Sequence, residues 1–172
     1  HYLVLAIAFA ACLITPAVAQ EKITFIATDK LIVTADLYMV NDTLPYMILC
    51  HGQKSSRGEY RETAKKFIKL GYNCIAVDLR NGGTNDGVDN ETSSLAALKH
   101  LPSGMMDAKL DIEAAITYAH NKNNKKVALV GSEYSASLVL YIGATDPRVA
   151  TVLAFSPGAD FNGKLNMNSA LP

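Results

Sequence analysis

Four short apolar runs, each ending in a turn of small polar residues, constrain this chain more than any other feature. They cover residues 46–50, 73–79, 127–130 and 149–155. The first stops at His51-Gly52 and the second at Asp78-Leu79-Arg80-Asn81-Gly82-Gly83. The third stops at Gly131-Ser132 and the fourth at Ser156-Pro157-Gly158. Runs of this length bounded by turn signals read as buried strands. Helical patterns separate them. Ser56 and Glu59 match an S-x-x-E capping box, Tyr60, Ala64, Phe67 and Ile68 recur at helical spacing, and Gly71 closes the pattern. A second helix is expected over 106–121, with Ile112, Ala115, Ile116 and Ala119 on one face. A third, over 136–144, is apolar almost all round, as in a buried helix. Two strands at 23–27 and 31–38 precede these units, joined at Asp29-Lys30. Residues 81–102, rich in Gly, Asn, Asp and Ser, read as a long surface loop. Two opening strands and then repeated strand–helix units imply an α/β fold. Its sheet is mostly parallel and flanked by helices on both faces.

Composition removes several functional classes. Of 172 residues, 49% are hydrophobic and 19% charged, which suits a packed core rather than a disordered or fibrous chain. Sixteen basic residues balance 16 acidic ones, so no net field attracts nucleic acid. Residues 2–14 are apolar apart from Cys12 and are followed by Thr15, Pro16 and Ala17-Val18-Ala19. That pattern reads as a secretory signal over 1–19, cleaved before Gln20, and implies a secreted or periplasmic protein of residues 20–172 with no stable membrane span. A buried or membrane-anchoring helix is the competing reading. Phe9-Ala10-Ala11-Cys12 faintly resembles a lipoprotein cleavage box. Cys50 and Cys74 lie in strand-like runs, where cysteine acts as a small hydrophobe. His51, His100 and His120 show no metal-ligand spacing, so neither a metal nor a cofactor is expected. Asn41-Asp42-Thr43 and Asn90-Glu91-Thr92 are sequons, of consequence only in a glycosylating host.

The segment from Val130 to Ser137 (Val-Gly-Ser-Glu-Tyr-Ser-Ala-Ser) follows a strand and opens a buried helix. It resembles the nucleophile elbow of the α/β-hydrolase fold, nearest to dienelactone-hydrolase-like and acyl-peptidase-like members. Gly131 and Ser135 are the small flanks that bracket position 133. Cys50-His51-Gly52-Gln53 resembles the oxyanion loop after the third strand. Asp78 to Gly83 resembles the D-x-R-G-x-G turn after the fourth, and Ser156-Pro157-Gly158 the loop after the sixth. The four motifs keep the family order from about Ile23 to Asp160. The resemblance implies hydrolysis of carboxylic esters, lactones or small amides. The residue at 133 would attack, and the backbone N–H groups of Gln53 and Tyr134 would hold the oxyanion. His51 and Gly52 would shape the loop.

Two departures weigh against that activity. Position 133, which carries Ser in most of the family, is Glu133. It has no hydroxyl for a base to activate. Glu133 could attack as a carboxylate, as Asp does in dehalogenase and epoxide-hydrolase relatives, although its extra methylene would misplace the oxygen. Ser132 or Ser135 could substitute, or Glu133 could mark a disabled site. The last histidine, His120, precedes the elbow, so no base follows in the family order. Asp160 is a candidate acid, with an ordinary loop Asp as the alternative. About six of the fold's eight strands are expected, which reads as a partial α/β-hydrolase domain over 20–172. The rival class is a non-catalytic module that binds a small ester- or amide-like ligand under the 81–102 loop.

Overall fold

A computed structural model describes residues 19–158 and Phe161. The expected signal segment, up to residue 18, and Asp160 lie outside the described residues. The chain opens with β1 (Ala19–Ile26) and β2 (Ile32–Met39), paired antiparallel around a turn in which Lys30 takes φ 70°. β3 (Tyr46–Cys50) follows. A 3₁₀ turn at Arg57–Tyr60 then leads into α1 (Arg61–Lys69), and β4 (Asn73–Val77) comes next. A small hairpin of β5 (Thr84–Asn85) and β6 (Val88–Asp89) precedes α2 (Glu91–Leu98) and α3 (Lys109–Asn123). The described elements end with β7 (Val127–Ser132), α4 (Tyr134–Thr145) and β8 (Val149–Phe155). No described helix is long and apolar enough to cross a membrane.

The main sheet runs β1-β2-β4-β3-β7-β8. The β1/β2 and β2/β4 pairs are antiparallel, and the β4/β3, β3/β7 and β7/β8 pairs are parallel. Every residue of β3 and β4 is buried, as continuous apolar runs predict for strands covered on both faces. Alternation along these strands divides the core in two. Met47, Leu49, Cys74, Ala76, Ala128 and Val130 pack with Tyr60 and Ala64 beneath α1. Ile48, Cys50, Ile75, Val77 and Leu129 face the other way, onto Ile112, Ala115, Ile116 and Ala119 of α3 and Leu138, Val139 and Ile142 of α4. Each fully buried aliphatic side chain contributes about 1.5–3 kcal/mol, so this double layer is the main source of stability.

Three details differ from the sequence expectation. Residues 81–102 are not one long loop, because they hold β5, β6 and α2. Asn90 caps α2, its Oδ1 accepting from the Ser93 N–H at 2.7 Å. That buries the Asn90 side chain and withdraws its sequon from any glycosylating enzyme, whereas Asn41 is exposed. The capping box also fails. Ser56 Oγ does accept from the Gly58 N–H, but Glu59 turns to a different loop, described below. α3 begins at Lys109, three residues later than its apolar pattern suggested.

Two buried guanidinium groups tie the loops to the sheet. Arg80, 1% exposed, donates from Nη2 to Asp111 Oδ1 at 2.8 Å and from Nη1 to Asp29 in the β1–β2 turn. Burial works against its charge, but the hydrogen-bonded Asp111 and Asp29 carboxylates outweigh burial and hold it more firmly protonated than an ordinary arginine. Arg57 likewise reaches Asp36 on β2 (3.1 Å), Asp78 after β4, and Glu91 at the start of α2 (2.8 Å). Removing one member of such a buried set strands the others without charge compensation. Arg80→Met is therefore expected to cost about 3–5 kcal/mol. A lowered urea midpoint in equilibrium unfolding would register the loss.

Candidate active site

The parallel register sets Cys50 beside Gly131, so the loop after β3 and the turn after β7 emerge together. The turn is sharp. Glu133 takes φ 55° and ψ −119°, a backbone region that costs a non-glycine residue on the order of 1–3 kcal/mol. Its neighbours hold it there. The Glu133 N–H donates to the Phe155 carbonyl at 2.9 Å, and the Ala136 N–H donates to the Glu133 carbonyl at 3.2 Å. The Ser132 N–H donates to Ser135 Oγ at 2.9 Å, and the same buried hydroxyl lies 2.8 Å from the Cys50 carbonyl. Gly131 has no room for a side chain: a Cβ there would sit 2.6 Å from the Ser135 carbonyl oxygen and 2.7 Å from the Ala136 nitrogen. Gly131 is thus held to glycine by sterics, and Ser135 is fixed by the hydrogen bonds of its buried hydroxyl.

Glu133 does not point away from the neighbouring loop. Its Oε2 accepts the Gln53 N–H at 2.8 Å. Gly52 makes room for it, since a Cβ at that position would lie 3.0 Å from the same oxygen. The Gly52 N–H in turn donates to Glu59 Oε2 at 3.0 Å. The Gln53 N–H expected to serve an oxyanion is therefore occupied by a carboxylate from its own chain. Tyr134 opens α4, where the first N–H groups have no partner within the helix. Its ring is buried, and burial raises its phenol well above the ordinary tyrosine value.

His51 is a brace. The Leu79 N–H donates to Nε2 at 2.9 Å, so the ring proton sits on Nδ1 and is given to the Gly52 carbonyl at 2.8 Å. Both nitrogens are committed and the side chain is fully buried, which lowers its pKa by desolvation. Asn90 Nδ2 donates to the Leu79 carbonyl at 2.9 Å and lies 3.1 Å from His51 Nε2, joining the α2 cap to this brace. His120 bonds the Lys125 carbonyl, just ahead of the first residue of β7 and thus at the opposite end of that strand from Glu133. His100 is exposed after α2. The structure therefore gathers Glu133, Gln53, Gly52, His51, Gly131, Ser135 and Tyr134. His100 and His120 are not part of the group, and Asp160 lies outside the described residues.

Three residues of this cluster escaped the sequence reading. Local sequence rules place Glu59 in a capping box and Asn90 in a loop, although an Asn followed by a helix-compatible run is an N-cap signal. Tyr60 was assigned only to the apolar face of a helix. Its hydroxyl donates to the Cys50 carbonyl at 3.0 Å and receives the Ser132 hydroxyl at 2.8 Å, drawing the two loops together. Ser132 and Ser135 hydroxyls are thus engaged in holding the turn.

The depressed His51 pKa has a definite sign. The unfolded chain binds a proton near pH 6.5 that the folded chain resists, so stability is fully present above that pH. It declines as pH falls toward the lowered folded value. His51→Asn should be less stable than the wild type at pH 7, and the difference between their urea midpoints should shrink as the pH is lowered from 7 to 5.

Residues 48–170 match the dienelactone hydrolase family. The quorum-quenching protein AidA of Acinetobacter baumannii (strain MDR-ZJ06) is 29% identical over 133 residues, covering 72% of this chain and 39% of its own length. The acyltransferase drtE of Aspergillus calidoustus is 24% identical over 138 residues, covering 80% of this chain and 42% of its own. The chain thus spans about two-fifths of the length of these curated relatives. The esterase Pf2001 of Pyrococcus furiosus has the same fold, with a TM-score of 0.63 at 17% identity over 84% of this chain and 51% of that one. The strand order and the helices on both faces of the sheet are those of an α/β-hydrolase, and the chain belongs to the dienelactone hydrolase family.

Proposed function

We propose that this is an exported family member whose ester-, lactone- or small-amide-hydrolysing site is blocked at position 133. The observation that carries this reading is the hydrogen bond from the Gln53 N–H to Glu133 Oε2. A serine-type hydrolase of this design needs a nucleophile with a removable proton and N–H donors free to receive the developing oxyanion. Glu133 supplies no proton, and its carboxylate takes one of the donors. Because it is tethered to the same chain, it competes with a substrate carbonyl at high effective concentration. The extra methylene that would misplace a serine-like attack carries the carboxylate onto the donor.

In a relative with serine at this position, the hydroxyl would attack the carbonyl carbon while the Gln53 and Tyr134 N–H groups held the oxygen. Each such donor is worth about 3–4 kcal/mol in the transition state. Asp160 is the candidate acid of that arrangement, with an ordinary loop Asp as the alternative. Export rests on the apolar segment before Ala17-Val18-Ala19.

A second reading, a non-catalytic ligand-binding homologue, is favoured by the bracing of the loops. His51, Asn90, Tyr60 and Ser135 all keep their hydrogen bonds although position 133 has lost its hydroxyl. The two readings share one experiment, hydrolysis of p-nitrophenyl acetate by the protein expressed from its complete reading frame. The unaltered protein is expected at the buffer rate. Glu133→Ser should exceed it by about tenfold or more, as freeing an oxyanion donor and restoring a hydroxyl require. A Glu133→Ser protein that stays at the buffer rate refutes the blocked-hydrolase reading. Wild-type turnover that disappears in Glu133→Gln would instead make the carboxylate a nucleophile.

A further inference from the structure

We propose that the end of the molecule opposite Glu133 docks on an anionic lipid surface. β4, β3, β7 and β8 run parallel, so the connections that enter them gather at one end of the sheet and position 133 stands at the other. Those connections cover residues 40–45, 70–72, 124–126 and 146–148. Hydrogen bonds sew them into one surface. The Asn73 amide donates to the Asn41 carbonyl at 2.6 Å, and its Oδ1 accepts from the Val40 N–H at 3.0 Å. The Asn123 amide donates to the Asp42 and Leu44 carbonyls at 3.1 and 2.7 Å. The Val127 N–H donates to the Arg148 carbonyl at 2.9 Å.

The zero net charge of the chain conceals a polarity. Lys66 and Lys69 lie in the last turn of α1, Lys122 in that of α3, and Lys125 and Lys126 follow α3. All five are exposed and without an ion-pair partner among the described residues. Arg148 is neutralised by Asp146, and Lys65 by Glu62. The acids that face these lysines are Glu21 and Asp42, which share a cleft with Lys122. Positive charge is therefore in excess at this end, and the balancing acids lie elsewhere in the chain.

The helix dipole accounts for lysines in the last turns of α1 and α3. It does not account for Lys125 and Lys126, which follow the left-handed cap of α3 at Asn124. Nor does it account for the apolar side chains beside them. Three of the seven large apolar side chains exposed among the described residues are here: Met39 (40%), Val40 (47%) and Leu70 (71%). Apolar side chains ringed by unpaired lysines match the layering of a bilayer interface. The apolar groups enter the headgroup region, the lysine stems cover its edge, and the ammonium groups reach anionic phosphates. A nucleic acid would use the lysines and leave the apolar side chains in water.

The entry of the chain into the fold points to the same occupant. Ala19 is the cross-strand partner of Met39, so β1 starts at this end. Residues 2–14, apolar apart from Cys12, lie just upstream in the sequence. A chain brought to a bilayer through that segment, during export or afterwards, would meet the lipid with this end first. Docking in this way leaves position 133 facing the solution.

Sedimentation of the intact protein with large unilamellar vesicles tests the proposal. Vesicles of phosphatidylcholine and phosphatidylglycerol in equal parts should carry the protein down at about 0.05 M salt, and phosphatidylcholine alone far less. Raising the salt to about 0.5 M, where the screening length is about 4 Å, should remove the difference. Lys69→Gln combined with Lys126→Gln should weaken binding to the mixed vesicles about tenfold or more. Lys30→Gln combined with Lys54→Gln removes the same charge from the end that carries position 133 and should leave binding nearly unchanged. Val40→Ser combined with Leu70→Ser keeps every charge and should weaken binding about threefold or more. All these side chains are exposed, so the variants should fold, which circular dichroism would verify. Binding to mixed vesicles no greater than to neutral ones, an equal effect of the two lysine pairs, or binding unchanged by the Val40 and Leu70 substitutions overturns the proposal.

Discussion

Two loops meet because β3 pairs with β7, and everything at the candidate site depends on that pairing. The strands are far apart in sequence, joined through α1, β4, the small hairpin, α2 and α3, yet Cys50 and Gly131 end up side by side. Their parallel arrangement sends both chains out of the sheet in the same direction. The chain after Cys50 presents its N–H groups, and the chain after Gly131 turns sharply enough to present a side chain to them. A one-residue slip would exchange the two faces of β7 and bury the wrong set of residues, so the core itself enforces the register. The site is in this sense a by-product of core packing. Tyr60 and Ser135 then fix the remaining freedom by bonding to the Cys50 carbonyl from two sides.

What occupies the site is less ordinary than how it is built. An N–H donor at the end of a parallel strand is neutral and cannot move, so it can be used by any oxygen that reaches it. Here a chain carboxylate reaches it first. The strained turn at Glu133 carries a side chain whose carboxylate reaches the facing loop. The surrounding hydrogen bonds over-determine the backbone, and strain of that kind persists where the frame is rigid. The loops around position 133 are therefore set by the frame that the fold provides.

Much of this was legible in the sequence, for reasons that differ among the elements. Continuous apolar runs ending in turn residues leave few alternatives to strands at β3, β4, β7 and β8, and only β8, at the edge of the described sheet, departs from the expected burial. The burial of Cys50 and Cys74 was legible because each lies in such a run. The α2 helix was missed because it carries little amphipathic pattern. Its residues Thr92 and Ala96 are buried, yet Thr, Ser and Asn there resemble loop composition. Glu59 and Tyr60 were misassigned because local rules describe a helix end, whereas their partners lie in loops set by tertiary structure. The contact between Gln53 and Glu133 could not be read at all: it joins residues 80 positions apart through a main-chain group, which leaves no mark on residue type.

The two buried arginines have a consequence for motion. Asp29 and Asp36 sit on the antiparallel hairpin at one edge of the sheet, while Asp78, Glu91 and Asp111 belong to segments around the parallel centre. Arg57 and Arg80 each bond to both groups. Peeling the hairpin from the sheet would leave two guanidinium groups half-paired in a medium that cannot solvate them. Fraying at this edge is therefore penalised far from the edge itself. The hairpin, the Asp78–Arg80 turn and the start of α2 should open as one cooperative unit, with their amide protons exchanging at a common rate although they are distant in sequence.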